Sequence, residues 1–385
     1  VNPQAVSARL RRLRKQHREI LLLAVLSLVA ATMFLITRSL ANESRRMHSR
    51  MAGEWFVRGN QLMDAGDVAL ATDAYRRAVT HDRQNTDLRL ALGRALARRE
   101  DAEEARMMLL QLRETAPENG ELNLELGRLF SRVPDVENAA RYYHNALYGV
   151  WPEKEIDQRR RQVRRELIDF LLANGQNNEA LSEILAFSRD VPETAADRVV
   201  VGELFFRGGD AARALDQFTQ ALALEADNTT ALLNAGRAAF EMGDYRRAVR
   251  YLEALKQSPQ RDRMLHVARS VVADDPLAGR LSASTRYARL IRLLDASLAR
   301  LKECRDQLAS QANSAAPDLS ALLTEAMDVR SNLTPSRIAR DSDLVQGGID
   351  MAFKSEVALT PLCGSSEDGQ ALMLIARLHG VVESE

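Results

Sequence analysis

Large apolar residues recur at three- and four-residue steps along most of this chain, with charged residues between them. That pattern predicts amphipathic helices. Short stretches of turn chemistry break it: Ala65-Gly66-Asp67, Asn174-Gly175, Gly208-Gly209-Asp210 and Met242-Gly243-Asp244. A longer period lies over the helical one. Small and large positions return every 34 residues, as Gly59, Gly93 and Gly127, as Ala71, Ala105 and Ala139, and as Tyr75, Leu109 and Tyr143. A fixed period of this size predicts an array of helix pairs, each burying its apolar face on the next. Within a pair the glycine or alanine lets two helices approach closely. Tyr75, Tyr143 or Phe218 then fills the gap to the next pair, and Leu62, Leu96, Phe130, Leu171 and Phe205 form an inner apolar stripe.

The first unit, 52–85, resembles a tetratricopeptide repeat (TPR), with Trp55, Gly59, Ala71, Tyr75 and Ala78 on that family's signature positions. Arg58 and Arg83 stand where the family prefers leucine and proline. Five further units follow at 86–119, 120–153, 161–194, 195–228 and 229–262. They carry Leu92-Gly93, Ala105 and Pro117; Leu126-Gly127, Ala139, Tyr143 and Pro152; Leu167, Ala180 and Pro192; Gly202, Ala214 and Phe218; and Gly236, Ala248, Leu252 and Pro259. The fourth unit has Ile168 in place of the glycine, and the charged insert Lys154–Arg160 precedes it. The resemblance implies an α-solenoid of about six helix–turn–helix repeats across 52–262. It also implies that the first helix of each pair lines a concave, partner-binding surface.

Carried over by position, that surface includes Asn60, Arg94, Arg128, Asp169, Glu203 and Arg237, and one turn further Asp64, Arg98, Arg132, Arg207 and Glu241. Asn60 matches a residue that helps hold a terminal carboxylate in chaperone-binding members of the family, although Phe56 replaces one of the basic residues of that clamp. Arg94, Arg98, Arg128 and Arg132 place four guanidinium groups on two neighbouring helices. Such a cluster suits an acidic peptide or a C-terminal carboxylate. A solvated arginine-rich face is the competing reading.

Ahead of the repeats, a basic segment at 1–19 precedes an uncharged run, Ile20–Ile36, with Arg38 beyond it. Seventeen residues rise about 25 Å, near the lower limit for a bilayer core. The run is therefore expected to be a transmembrane helix at 20–38, with a cleaved signal peptide as its rival. Counting Arg and Lys on each side places the N-terminus in the cytoplasm and the repeats outside. Beyond the repeats the pattern predicts a capping helix at 263–277 and a separate helical bundle at 278–385. In that bundle a helix opens at Ser284 and others cover Asp318–Leu333, Ser336–Leu359 and Gly369–Leu378. Cys304 and Cys363 either form a disulfide or remain two buried thiols.

Composition adds little to this outline. The formal net charge is zero, so no overall field points to nucleic acid. The basic charge is mostly arginine, as in GC-rich bacterial genomes. His17, His48, His81, His144, His266 and His379 show no metal-ligand spacing, and no phosphate loop, dinucleotide fingerprint or nucleophile elbow occurs. No catalytic residue, cofactor or metal is expected. The sequence reads as an all-α, non-enzymatic scaffold in the bacterial inner membrane, single-pass and facing the periplasm, with an envelope-assembly or holdase-like role. A cytoplasm-facing tethered adaptor that recruits an enzyme or protease, and a catalytic C-terminal domain, are the alternatives.

Overall fold

The computed structural model describes residues 3–99, 101–151, 156–310 and 316–380, with side chains from residue 26 onward, omitting those of 316–317. Among the described residues the chain is helical throughout, with one isolated bridge between Asn119 and Val150. It forms two compact units, Val1–Phe170 and Leu171–Glu385.

The first unit begins with one continuous helix, α1 (Pro3–Asp64), which pairs with α2 (Val68–His81). Then come α3 (Thr86–Arg98), α4 (Ala102–Thr115), α5 (Gly120–Phe130) and α6 (Val136–Tyr148), each packed on its neighbours, and the first part of α7 (Ile156–Ala173). α3 also lies beside α5, so first helices of successive pairs are neighbours. Side chains set the ends of these helices. Asp67, Asn85, Asn119 and Asp135 each accept a hydrogen bond from a backbone N–H of the first turn, satisfying a donor that the helix cannot. Gly66 makes the first inter-helix turn at φ +82°, a left-handed conformation that a side chain resists.

The N-terminus departs from expectation. Among the described residues no helix is long and apolar enough to cross a membrane. The side chains of residues 1–25, which hold the basic segment and the start of the expected span, lie outside the described residues. Leu26, Leu28, Met33, Phe34, Leu35 and Ile36 are exposed. The transmembrane helix at 20–38, and the single-pass inner-membrane, periplasm-facing placement built on it, are therefore corrected. Pro152, and Lys154 at the start of the charged insert, also lie outside the described residues.

The second unit continues with α8 (Asn177–Asp190), α9 (Ala195–Arg207), α10 (Ala211–Leu224), α11 (Thr229–Glu241) and α12 (Tyr245–Glu253). The next helix, α13 (Pro259–Asp274), opens at Pro259, four residues before the expected Arg263. Proline at the first helical position loses no hydrogen bond, and the Ser258 hydroxyl accepts from Arg261 N–H. Then follow α14 (Ala283–Ser310), α15 (Ala316–Ser331), α16 (Pro335–Arg340), α17 (Asp343–Cys363) and α18 (Glu367–Leu378).

The expected single helix over Ser336–Leu359 is thus two. Asp341 leaves helical geometry at φ −137° and its carboxylate accepts from Asp343 N–H. That local bond competes with continuing the helix. Conversely, α17 runs through Pro361, past the expected end at Leu359, and ends at Gly364 with φ +78°. Leu290, Leu294, Leu301, Ile349, Ala352 and Leu372 build the core of α14, α17 and α18. Cys304 and Cys363 form a disulfide there, with Cα atoms 6.0 Å apart.

Candidate partner-binding surface

The residues assigned to the partner surface divide between the units. In the first, α3 presents Arg94 and Arg98, and α5 presents Arg128 with Arg132 just past its end. The structure brings Arg94 and Arg128 together, but it does so through carboxylates. Arg94 donates to Glu125 at 2.9 Å and to Glu121 at 2.6 Å. Arg128 grips Glu166 of α7 with two nitrogens, at 2.8 and 2.6 Å, and reaches Glu125 at 3.0 Å. Glu125 is buried between the two guanidinium groups.

Electrostatics follow from this geometry. Burial opposes charge on Arg94, and Glu125 and Glu121 outweigh it, so its pKa rises. The hydrogen bonds to Glu166 raise that of Arg128. Both arginines stay charged and matched. Arg132 donates to the Ala97 carbonyl at 2.7 Å, tying the end of α5 to α3. Arg98 differs. It is exposed on the last turn of α3, one turn beyond Arg94, and among the described residues it makes no hydrogen bond or ion pair.

Asn60, the position that resembled a carboxylate clamp, serves the repeat itself. Its Oδ1 accepts from the Tyr75 hydroxyl at 2.7 Å. Burial raises the Tyr75 pKa, with Arg94 and Arg98 pulling weakly the other way, and burial likewise raises Tyr143 and Tyr245. A folded-state pKa above the unfolded value near 10 gives stability present below ~pH 10 and lost as pH climbs toward the folded values. Denaturant midpoints are therefore expected to hold to ~pH 9 and to fall by ~pH 11. Loss of that fall in a Tyr75→Phe, Tyr143→Phe, Tyr245→Phe variant identifies the three phenols as its source. A fall of the same size in that variant removes them.

In the second unit, α9 and α11 lie side by side as α3 and α5 do. Asn234 donates to Glu203 at 3.0 Å, and Arg237 donates to Asn234 at 3.3 Å. The Arg237 guanidinium sits 5.0 Å from the Phe206 ring centroid, within cation–π range. Arg237 is thus braced rather than free. Asp169 in the first unit accepts from Arg165 at 3.0 Å.

Glu121, Glu125 and Glu166, which balance its charge, and Phe206, which braces Arg237, are absent from the surface that the sequence points to. A signal existed. Arg94 and Glu125 are 31 residues apart, as are Glu203 and Asn234, three short of the 34-residue period. Helical neighbours stand three or four positions apart, so one period less three marks facing positions on adjacent first helices.

One family model described as tetratricopeptide repeat matches residues 62–129 and 205–270, and a second model of the same description matches 165–229. No curated protein matches the chain. Among solved structures, YrrB, titled a TPR protein with an unusual peptide-binding site, is 21% identical with a TM-score of 0.34, over 46% of this chain and 88% of its own. PilW, titled a type IV pilus biogenesis factor, is 16% identical with a TM-score of 0.40, over 56% and 98%. Naa15/Naa10 bound to HypK-THB is 14% identical with a TM-score of 0.47, over 85% and 55%.

Proposed function

We propose that this chain, which carries tetratricopeptide repeats, is a scaffold that holds protein or peptide partners on the first-helix faces of those repeats, with Arg98 meeting a carboxylate of the partner. The observation that carries this is the contrast within α3. Arg94 has its carboxylates already, whereas Arg98 stands exposed beside it with none among the described residues. A guanidinium beside a neutralised network is a specific docking point. Four unpaired arginines would be a diffuse basic field. The Arg94–Glu125–Arg128–Glu166 chain then keeps α3, α5 and α7 in register beneath the partner.

This division decides the test. Replacing Arg94 or Arg128 with glutamate sets a carboxylate against buried Glu125, so lost binding would report a damaged fold. Arg98→Glu avoids that. A peptide library with free and amidated C-termini and acidic and neutral sequences is presented to the wild-type chain and to Arg98→Glu. Carboxylate-bearing peptides are expected to bind the wild type and to weaken about tenfold in the variant, the scale of one charge-assisted hydrogen bond at a partly exposed site. Equal binding by both chains with unchanged circular dichroism would remove Arg98 from the surface.

A further inference from the structure

The last repeat meets the helix that follows it around an open cleft of about 330 Å³. Three pieces frame it: the Met242-Gly243-Asp244 turn into α12, the C-terminal half of α13 and the end of α18. It lies at an inter-helix turn rather than along a first-helix face, and in the other unit from Arg98. The floor is apolar, with Tyr245 and Val271 buried and Val272 half-buried. The rim is apolar as well. Met242 and Leu378 are each nearly half exposed, and Leu378 closes over Gly243, where a Cβ would stand 3.2 Å from its Cδ2. Large apolar side chains left in water on two edges of one cleft mark a contact surface.

Charge narrows what fits. The two carboxylates that line the cleft are taken, Asp244 by Arg247 at 3.0 Å and Asp275 by His379 at 2.8 Å. Arg246, exposed in the first turn of α12, makes no hydrogen bond or ion pair among the described residues. Arg377 is exposed on the last turn of α18. Burial raises the Tyr245 pKa, Arg377 is near enough to oppose it, and Glu241 acts the other way. The uncommitted charge around the cleft is thus two arginines against one carboxylate.

We propose that this cleft docks a peptide segment of a protein partner in which a large aliphatic side chain stands next to a carboxylate. The aliphatic group enters between Met242 and Leu378 onto Tyr245, and the carboxylate meets Arg246. The cleft is too open to enclose a small molecule, which in its own site buries ~70–90% of its surface. A side chain projecting from a segment that stays outside needs no such enclosure. Methionine on the rim adapts its shape to the guest, a common device at peptide-binding surfaces. The guanidinium then fixes which end of the segment lies toward α12.

The test uses the full-length Arg98→Glu chain, so that the α3 surface does not contribute and the two surfaces fail or succeed separately. Isotope labelling of the methionine methyl groups makes Met242 a magnetic-resonance reporter inside the cleft, its signal assigned by Met242→Leu. The probe is an acetylated, amidated glycine–serine peptide with one leucine followed by one glutamate. Two control peptides carry alanine for the leucine or lysine for the glutamate. The leucine–glutamate peptide is expected to shift the Met242 signal with a dissociation constant below about 1 mM, and each control to bind at least tenfold more weakly. Arg246→Glu is expected to reverse the choice and favour the leucine–lysine peptide. Glutamate in a first helical turn suits the helix dipole, so α12 stays intact in that variant. No shift at Met242 with the leucine–glutamate peptide, or equal shifts with all three, would overturn the proposal. So would a Met242 signal that moves with protein concentration alone, which gives the cleft to a second copy. Binding that tightens tenfold when residues 381–385 are removed would give it to the chain's own end and overturn it too.

Discussion

Gly202→Val is expected to destabilise the second unit by about 3 kcal/mol, the upper range for forcing atoms into a packed interior. A Cβ at Gly202 would stand 2.5 Å from Cε1 of Phe218, and Phe218 is completely buried, so the ring has nowhere to retreat. The contact is a structural rule of this chain. Gly59 meets Tyr75, Gly93 meets Leu109 and Gly236 meets Leu252 in the same way, and a Cβ added at any of the three would stand 2.5 to 2.7 Å from the side chain sixteen residues on. A double-mutant cycle separates crowding from the loss of glycine as such. Phe218→Ala alone costs about 3–5 kcal/mol through the cavity it leaves. Crowding predicts that adding Gly202→Val to that background costs nothing further, because the valine occupies the vacated space. Additive costs in urea unfolding would mean that the glycine matters for its backbone and not for its missing side chain.

The same contact explains how much of the fold is legible in the sequence. A glycine and a large side chain sixteen positions apart, repeated at fixed spacing, is a local pattern with one packing solution. Helices accordingly open at Thr86 and Gly120, and again at Ala195 and Thr229, each pair one 34-residue period apart. Cap residues are legible for the same reason, since Asn85, Asn119 and Asn228 act within three residues of themselves. What escapes depends on partners distant in sequence or on competition within a turn. Asp341 breaks a helix that periodicity alone would continue, and α17 runs on through Pro361 to Cys363.

The surface is harder to read than the fold for a related reason. Position within a repeat tells which residues share a face, and that alone places the four arginines. Their charge as a group depends on Glu125, one repeat on from Arg94, and on Glu166, one repeat on from Arg128. Buried Glu125 between Arg94 and Arg128 turns a basic cluster into a neutral strut. Trp151 shows the same limit. It is buried against Gly120, its Nε1 donates to the Ala146 carbonyl at 2.8 Å, and no repeat position marks it. The expected span before the repeats rests on hydropathy, a measure blind to everything except length and composition.

Reduction of the Cys304–Cys363 bond is expected to produce the other large loss, about 4 kcal/mol in the second unit. The bond closes a loop of 59 residues, and the chain-entropy model assigns a loop of that size about 4 kcal/mol of constraint on the unfolded state. The native side has its own stake. Gly364, next to Cys363, accepts from Arg300 at 2.8 Å, and Arg300 also pairs with Glu356, a carboxylate buried in α17. The disulfide therefore anchors the chain segment that helps hold a guanidinium against a buried charge. Cys304 itself packs among Leu301, Leu308 and the core of α14, so a serine pair replaces it with little change in volume. Hydrogen exchange read by peptide reports each unit separately. In the Cys304→Ser, Cys363→Ser variant, the most protected amides of α14 and α17 are expected to exchange about a thousandfold faster, the equivalent of about 4 kcal/mol, while those of α3 and α5 do not change. Acceleration in α14 and α17 below about tenfold would mean that the α14–α17–α18 core holds the loop closed without the bond, and that the disulfide contributes little to the fold.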